Sequence, residues 1–225
     1  GQAQLAIDRA QVPAAVWEQE YECKFTSVEA HVFKCVPRCI GGAAVQRALP
    51  GRSYVTAWDT GKVADPSALV TLDARSGLVV DARTIPLGTE LTAQLDLVAA
   101  TSRRYGSLVV MDMTGAGTQD RLLDFARVQC PNIRGLYFSR SDKENMVNAV
   151  AVWLEQQKLT IPAEFTELLT QLDHYEYEQR GKLYVYGAPP GEHDDLVAAL
   201  AMAIAAVENN WHSNPRGLPA HLALH

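Results

Sequence analysis

The chain has 225 residues, 48% hydrophobic and 20% charged, with a formal net charge of −6. That length supports one good core with a small appendage. The acidic balance argues against a stand-alone domain that holds nucleic acid by charge alone, and no apolar run approaches the ~18 residues of a membrane span.

The start, Gly1-Gln2-Ala3-Gln4, lacks the basic and apolar regions of a signal peptide. With no initiating Met, it reads as an excised fragment. Cys23, Cys35, Cys39 and Cys130 contain no C-x-x-C pair, and a cytosolic chain keeps such thiols reduced. Cys23, His31, Cys35 and Cys39 could together ligate zinc, but structural zinc sites favour tighter paired spacing, so free or buried thiols are preferred.

Residues 12–25 read as a short helix with Pro13 near its first turn. Trp17, Tyr21 and Phe25 fall on one face and should pack on the core. Residues 32–36 suggest a short strand, and Ile40-Gly41-Gly42 opens a connection that runs to Pro50-Gly51. Three β segments follow, at 53–59, 67–72 and 78–85, with turns at Thr60-Gly61, Asp65-Pro66 and 73–77. Short loops make them an antiparallel meander.

The chain then alternates. Leu91, Leu95, Val98 and Ala99 give helical spacing over 89–105, ending at Gly106. Residues 107–112 read as a buried strand, 119–128 as a helix and 133–138 as a further strand. Ser141-Asp142-Lys143-Glu144 has the form of a capping box and opens a helix to about 157. Its inner face is Met146, Val150, Trp153 and Leu154. Residues 163–174 are helical again, and 175–178 and 183–187 alternate as a hairpin joined through Arg180-Gly181.

Pro189-Pro190-Gly191 breaks the chain before Glu192-His193-Asp194-Asp195, which leads into 196–207, apolar on nearly every face. Such a helix belongs inside the protein. Its positive N-terminal end favours ionised carboxylates, and N-capping is the competing role for either Asp. From Asn209 the tail has no period and is expected to be loosely held.

This order resembles the ribonuclease H-like fold. That is an α/β domain whose mixed sheet, three antiparallel strands followed by α/β alternation, is flanked by helices. The hairpin is an addition to it. In that fold strands one and four are neighbours, so Asp59, Asp112 and Asp194 can converge. Carboxylates crowded together resist ionising, and divalent ions between them relieve the repulsion. Oxygen-only ligands favour magnesium or manganese over zinc. The known use is a pair of ions about 3.5–4 Å apart, one activating water and the other stabilising the departing 3′ oxygen of a phosphodiester. No protein nucleophile is needed, and no G-x-S-x-G elbow is present.

Three motifs carry a more specific resemblance: Trp58-Asp59-Thr60-Gly61, Val110-Met111-Asp112-Met113-Thr114-Gly115, and His193-Asp194-Asp195 with its apolar helix. They resemble the motifs of the nuclease domain of bacteriophage large terminase subunits, which package viral DNA. Glu18-Gln19-Glu20-Tyr21-Glu22-Cys23-Lys24-Phe25 is similar to the segment that follows the packaging ATPase there, and Lys143 and Ile161-Pro162 also match. The likeness covers residues 12–208.

The resemblance implies a metal-dependent endonuclease that cuts concatemeric viral double-stranded DNA during packaging, with two magnesium or manganese ions. Asp59, Asp112 and Asp194 would be the catalytic metal ligands, and Asp195 would ligate or orient. Asp65 and His193 would stand just outside, unless Asp65 only forms the turn before Pro66 and His193 is structural. Arg103, Arg104, Arg140, Lys143 and Lys182 could contact DNA phosphates or be plain solvated charge. By analogy the hairpin would govern access to the groove.

No G-x-x-x-x-G-K-[ST] loop is present. Residues 1–50 are therefore read as a connecting segment after an ATPase domain, 51–210 as the nuclease domain and 211–225 as a tail. In the full protein the implied partners are that ATPase, the small terminase subunit and the portal, in the cytoplasm of the infected bacterial host and without a membrane. The isolated domain is expected to be a monomer. The alternatives are another ribonuclease H-like nuclease, such as a Holliday-junction resolvase, or an inert binding domain of the same fold.

Overall fold

Strand β1, Tyr54–Asp59, is buried at every residue but the last. A strand covered on both faces belongs in the middle of a sheet with layers above and below it. The computed structural model describes residues 9, 17, 31–61, 66–114, 119–180, 183–214 and 221–223, and places β1 there. β2 (Ser67–Asp73) pairs antiparallel with β1, and β3 (Val79–Ile85) antiparallel with β2. Helix α1 (Leu91–Tyr105) then carries the chain to β4 (Leu108–Asp112), and α2 (Gln119–Gln129) carries it to β5 (Ile133–Tyr137). β4 runs parallel to β1, and β5 parallel to β4, as helical crossovers require.

Two more helices, α3 (Arg140–Glu155) and α4 (Thr166–His174), precede an antiparallel hairpin of β6 (Glu176–Arg180) and β7 (Leu183–Gly187). Helix α5 (Asp195–Glu208) follows and is almost wholly buried, packing across β1 and β2 and against α3. A final strand, β8 (His221–Ala223), lies parallel to β5 and completes the order β3-β2-β1-β4-β5-β8. No described helix is long and apolar enough to cross a membrane.

The sheet has a core on each face. Val55, Ala57, Val70, Val110 and Leu136 point toward α5 and α3, while Trp58, Leu69, Val109 and Met111 point toward α1 and α2. Thr56 is a polar residue in the most buried strand, and its hydroxyl is shared with Thr71 Oγ1 at 2.9 Å and Ser107 Oγ at 2.7 Å. That chain of hydroxyls satisfies what burial would otherwise strand. Gly77, at φ +68°, turns the chain so closely under α3's exit that a Cβ would lie 1.8 Å from Lys158 O. Only glycine fits that turn.

Three expectations change. Residues 32–36 form no strand: His31 makes an isolated bridge to Glu176, and Val36–Cys39 is a 3-10 turn with a proline in its first turn. The capping box lies two residues earlier, with Ser139 as the cap and Asp142 as its partner. The tail is not loose throughout, since Trp211 is buried in a 3-10 turn and β8 adds backbone pairs to the sheet edge. Of the four residues weighed as a zinc set, Cys39 Sγ donates to Leu154 O and His31 Nδ1 donates to Asp173 O. Cys23, Tyr21 and Phe25 lie outside the described residues, while Arg9 and Trp17 are helical and form a cation–π pair at 5.7 Å.

Candidate metal centre

Strand parity aims the first two acids. Side chains alternate between faces along a strand, so Asp59 shares the α5 face with Val55 and Ala57. Asp112 shares that face with Leu108 and Val110. The parallel register ends with Trp58 opposite Met111, so the next residue on each strand is an aspartate. Thr114 N donates to Asp112 Oδ1 at 2.6 Å, which fixes that carboxylate where the strand ends.

The third contribution comes from the start of α5. Asp194 occupies the N-cap position, yet its side chain makes no capping bond. Leu196 N donates instead to Gln171 Oε1 of α4, at 2.9 Å. A buried glutamine therefore serves a helix amide that an N-cap Asp usually serves, and the Asp194 carboxylate is turned elsewhere. Gly187, the last residue of β7, sits so near that a Cβ there would be 3.3 Å from Asp194 Oδ2. Asp195 is buried, and its Oδ2 lies 3.8 Å from Nδ1 of the exposed His193.

These side chains meet in one cavity of about 170 Å³, whose wall includes Asp59, Asp112, Asp194, Asp195, Lys143 and Tyr175. Met146, Val147 and Met202 give it an apolar lining. Burial pushes the Asp59 carboxyl up to about 7, helped by the charges of Asp112, Asp195 and Asp194, while Lys143 pulls the other way. The Asp59 carboxyl therefore holds its proton more tightly than an exposed acid does, and a cation among these acids would relieve that.

Among the described residues, no three His, Cys, Asp or Glu side chains stand close enough to enclose an ion as they are. The acids share a cavity rather than a closed cage. The donor chemistry still fits a hard divalent cation, because every candidate ligand is a carboxylate oxygen.

The comparisons bear directly on this arrangement. No family model matches the chain. The large terminase subunits of Thermus virus P23-45 and Thermus phage G20c are each 27% identical to it over 214 residues. That alignment covers 89% of this chain and 43% of each relative, so the chain spans less than half of their length. The large terminase nuclease of phage G20c, solved with bound magnesium, superposes with a TM-score of 0.69 at 26% identity, covering 79% of this chain and 98% of that one. The chain is related to the nuclease domains of phage large terminases. The corresponding domain of bacterial virus Sf6 shares the fold, with a TM-score of 0.58 at 12% identity over 77% of this chain and 98% of that one. The mixed sheet with its flanking helices is the ribonuclease H-like architecture of these terminase nucleases.

Against that terminase framework, the structure brings Asp59, Asp112, Asp194, Asp195 and Lys143 to one cavity. His193 is exposed beside it, and Arg140 stands in the first turn of α3, 3.4 Å from Glu144. Arg103 and Arg104 are not brought to the site. They end α1, just before the start of β4, whereas Asp112 is that strand's last residue. Asp65 and Lys182 lie outside the described residues. Sequence reasoning missed Gln171, Gly187 and Tyr175. The first two act through contacts between distant segments, and Tyr175 looked like an ordinary strand residue of the hairpin.

Proposed function

We propose that this chain is a metal-dependent endonuclease domain that cuts viral double-stranded DNA during genome packaging, by hydrolysis of phosphodiester bonds. The observation that carries the reading is the convergence of Asp59, Asp112 and Asp194 in one cavity, with the Asp59 carboxyl pushed up to about 7 by burial and by the neighbouring acids. The relatedness to terminase nucleases supports it, as do the G20c large terminase nuclease structures with bound magnesium and with bound cobalt.

On this reading Asp59, Asp112 and Asp194 hold two divalent ions, magnesium or manganese, with Asp195 ligating or steadying the set. The ions would supply activated water for attack on phosphorus and neutralise charge on the departing 3′ oxygen. The protein's own part is placement. The strand ends fix two acids, Thr114 N orients Asp112, and the buried length of α5 holds Asp194 rigidly. Lys143 offers positive charge to a phosphate entering the cavity. Attack of water on phosphorus would break the bond to the 3′ oxygen, which takes up a proton, leaving a 5′ phosphate and a 3′ hydroxyl. In a longer protein the partners would be a packaging ATPase, the small terminase subunit and the portal, with concatemeric DNA as the substrate.

Supercoiled plasmid incubated with the chain and magnesium or manganese tests this. Nicked and linear products are expected, and Asp59→Ala, Asp112→Ala or Asp194→Ala should each lower the rate by roughly a thousandfold or more. Intact plasmid under both ions would contradict the reading and favour an inert binding domain.

A further inference from the structure

Tyr175 has no role in the metal set, yet it lines the same cavity as Asp59 and Asp194. It joins α4 to β6, is 2% exposed, and is held from one side by a segment far away in sequence. Phe33 stacks on it, with ring centroids 5.2 Å apart and planes 23° apart. Val32 N donates to Tyr175 O at 2.9 Å, and His31 Nδ1 donates to Asp173 O at 2.7 Å.

The segment carrying Phe33 is itself anchored. Ile161 N donates to Cys39 O at 2.8 Å, Gly41 N donates to Ile161 O at 3.0 Å, and Phe33, Val36 and Cys39 all join the core. The Tyr175 ring is therefore placed by a fixed strap, with little of its rotational freedom left to lose on binding. Its hydroxyl is not among the fully buried polar atoms left without a partner, and no hydrogen bond ties it to another described residue, so it is open to the cavity that Tyr175 lines.

A tyrosine phenol keeps its proton at neutral pH and can donate a hydrogen bond. The cavity's acids can only accept once ionised. No cavity carboxylate is hydrogen-bonded to the phenol among the described residues, and a phosphate oxygen is a further acceptor that a DNA strand would bring.

Resting on the nuclease reading above, we propose that Tyr175 is a catalytic residue that donates a hydrogen bond to a non-bridging oxygen of the phosphate being cut. Phe33 is the positioning residue that sets its ring. Tyr175 touches the substrate, whereas Phe33 acts only through it.

Cleavage kinetics of the full chain on duplex DNA with manganese test both halves. Tyr175→Phe should lower kcat by roughly 10–100-fold, leaving KM for DNA, manganese affinity and Tm unchanged. Phe33→Leu keeps an apolar side chain but loses the stack, and should lower kcat by about 3–10-fold at unchanged KM. The two changes together should cost no more than Tyr175→Phe alone, because Phe33 has no other route to the substrate. A Tyr175→Phe rate equal to wild type overturns the proposal, and so does a double variant whose losses multiply. If Tyr175→Phe does not fold, Phe33→Leu decides alone: reduced kcat supports the proposal and wild-type kcat overturns it. Wild type that cuts, with Asp59→Ala inactive and Tyr175→Phe normal, sinks only this inference. Wild type that leaves DNA intact under both ions sinks the nuclease reading and this inference with it.

Discussion

Helices α3 and α5 both send residues to the cavity wall, and both begin with acids, but the acids are treated in opposite ways. At α3, Ser139 N donates to Asp142 Oδ2 at 2.6 Å and Asp142 N donates to Ser139 Oγ at 3.3 Å. Ser139 Oγ, which also donates to Asp142 Oδ2 at 2.7 Å, and then Ser139 N hold the Asp142 carboxyl below its ordinary range. At α5, Gln171 takes over a backbone amide, Asp194 makes no capping bond, and the acids around it push Asp59 upward. One helix start spends its acid on stability, while the other keeps its acids close together at a cost to the fold. An acid cluster that folding alone would avoid marks the place where chemistry is expected.

The comparison breaks if the two acids prove interchangeable. Asp194→Asn should abolish cleavage, by about a thousandfold or more, while Asp142→Asn should stay within about threefold of wild type. Plasmid assays with manganese read both. Comparable losses would dissolve the distinction.

Stability should move the opposite way. Asp59 binds its proton more tightly in the folded chain, so stability without metal is greatest below the ordinary pKa of 3.8 and falls as pH rises toward about 7. At full expression such a shift corresponds to about 4 kcal/mol, and relaxation of the site should leave about 2. Asp59→Asn should therefore raise Tm at pH 8 in a chelator by several degrees, with the gain vanishing near pH 4. Magnesium should narrow the gap by stabilising only the wild type. A lower Tm for the variant at pH 8 would show that the acids do not strain the fold.

Gly187→Ala places a methyl group against Asp194 Oδ2, and manganese affinity measured by calorimetry should weaken about 3–10-fold. The smallest effect belongs to α3. Ser139→Ala should cost about 1 kcal/mol of stability, read as a lower Tm, with cleavage unchanged.

Much of this was legible before any coordinates. The meander, the α/β alternation and the buried run of α5 are long periodic signals, and the parity of β1 and β4 follows from them once the strands are neighbours. Asp59 and Asp112 could therefore be paired on paper. The capping box was shifted because Ser141–Glu144 and Ser139–Asp142 offer the same spacing, and only the structure shows which serine ends the extended backbone. β8 is three residues long and takes its shape from β5 rather than from its own pattern. Arg103-Arg104 reads as a basic pair, and its place at the start of β4, away from Asp112, follows from chain order once the helix and strand are assigned. Gln171 and Tyr175 are ordinary residues locally, and their roles depend on partners at Leu196 and Phe33.

Anomalous diffraction from manganese-soaked crystals tests the central claim most directly. The account predicts manganese within the cavity, ligated by the carboxylates of Asp59, Asp112 and Asp194, and lost from it in Asp59→Ala. A cavity without manganese at millimolar concentration, or the same peaks persisting after Asp59→Ala, would contradict it.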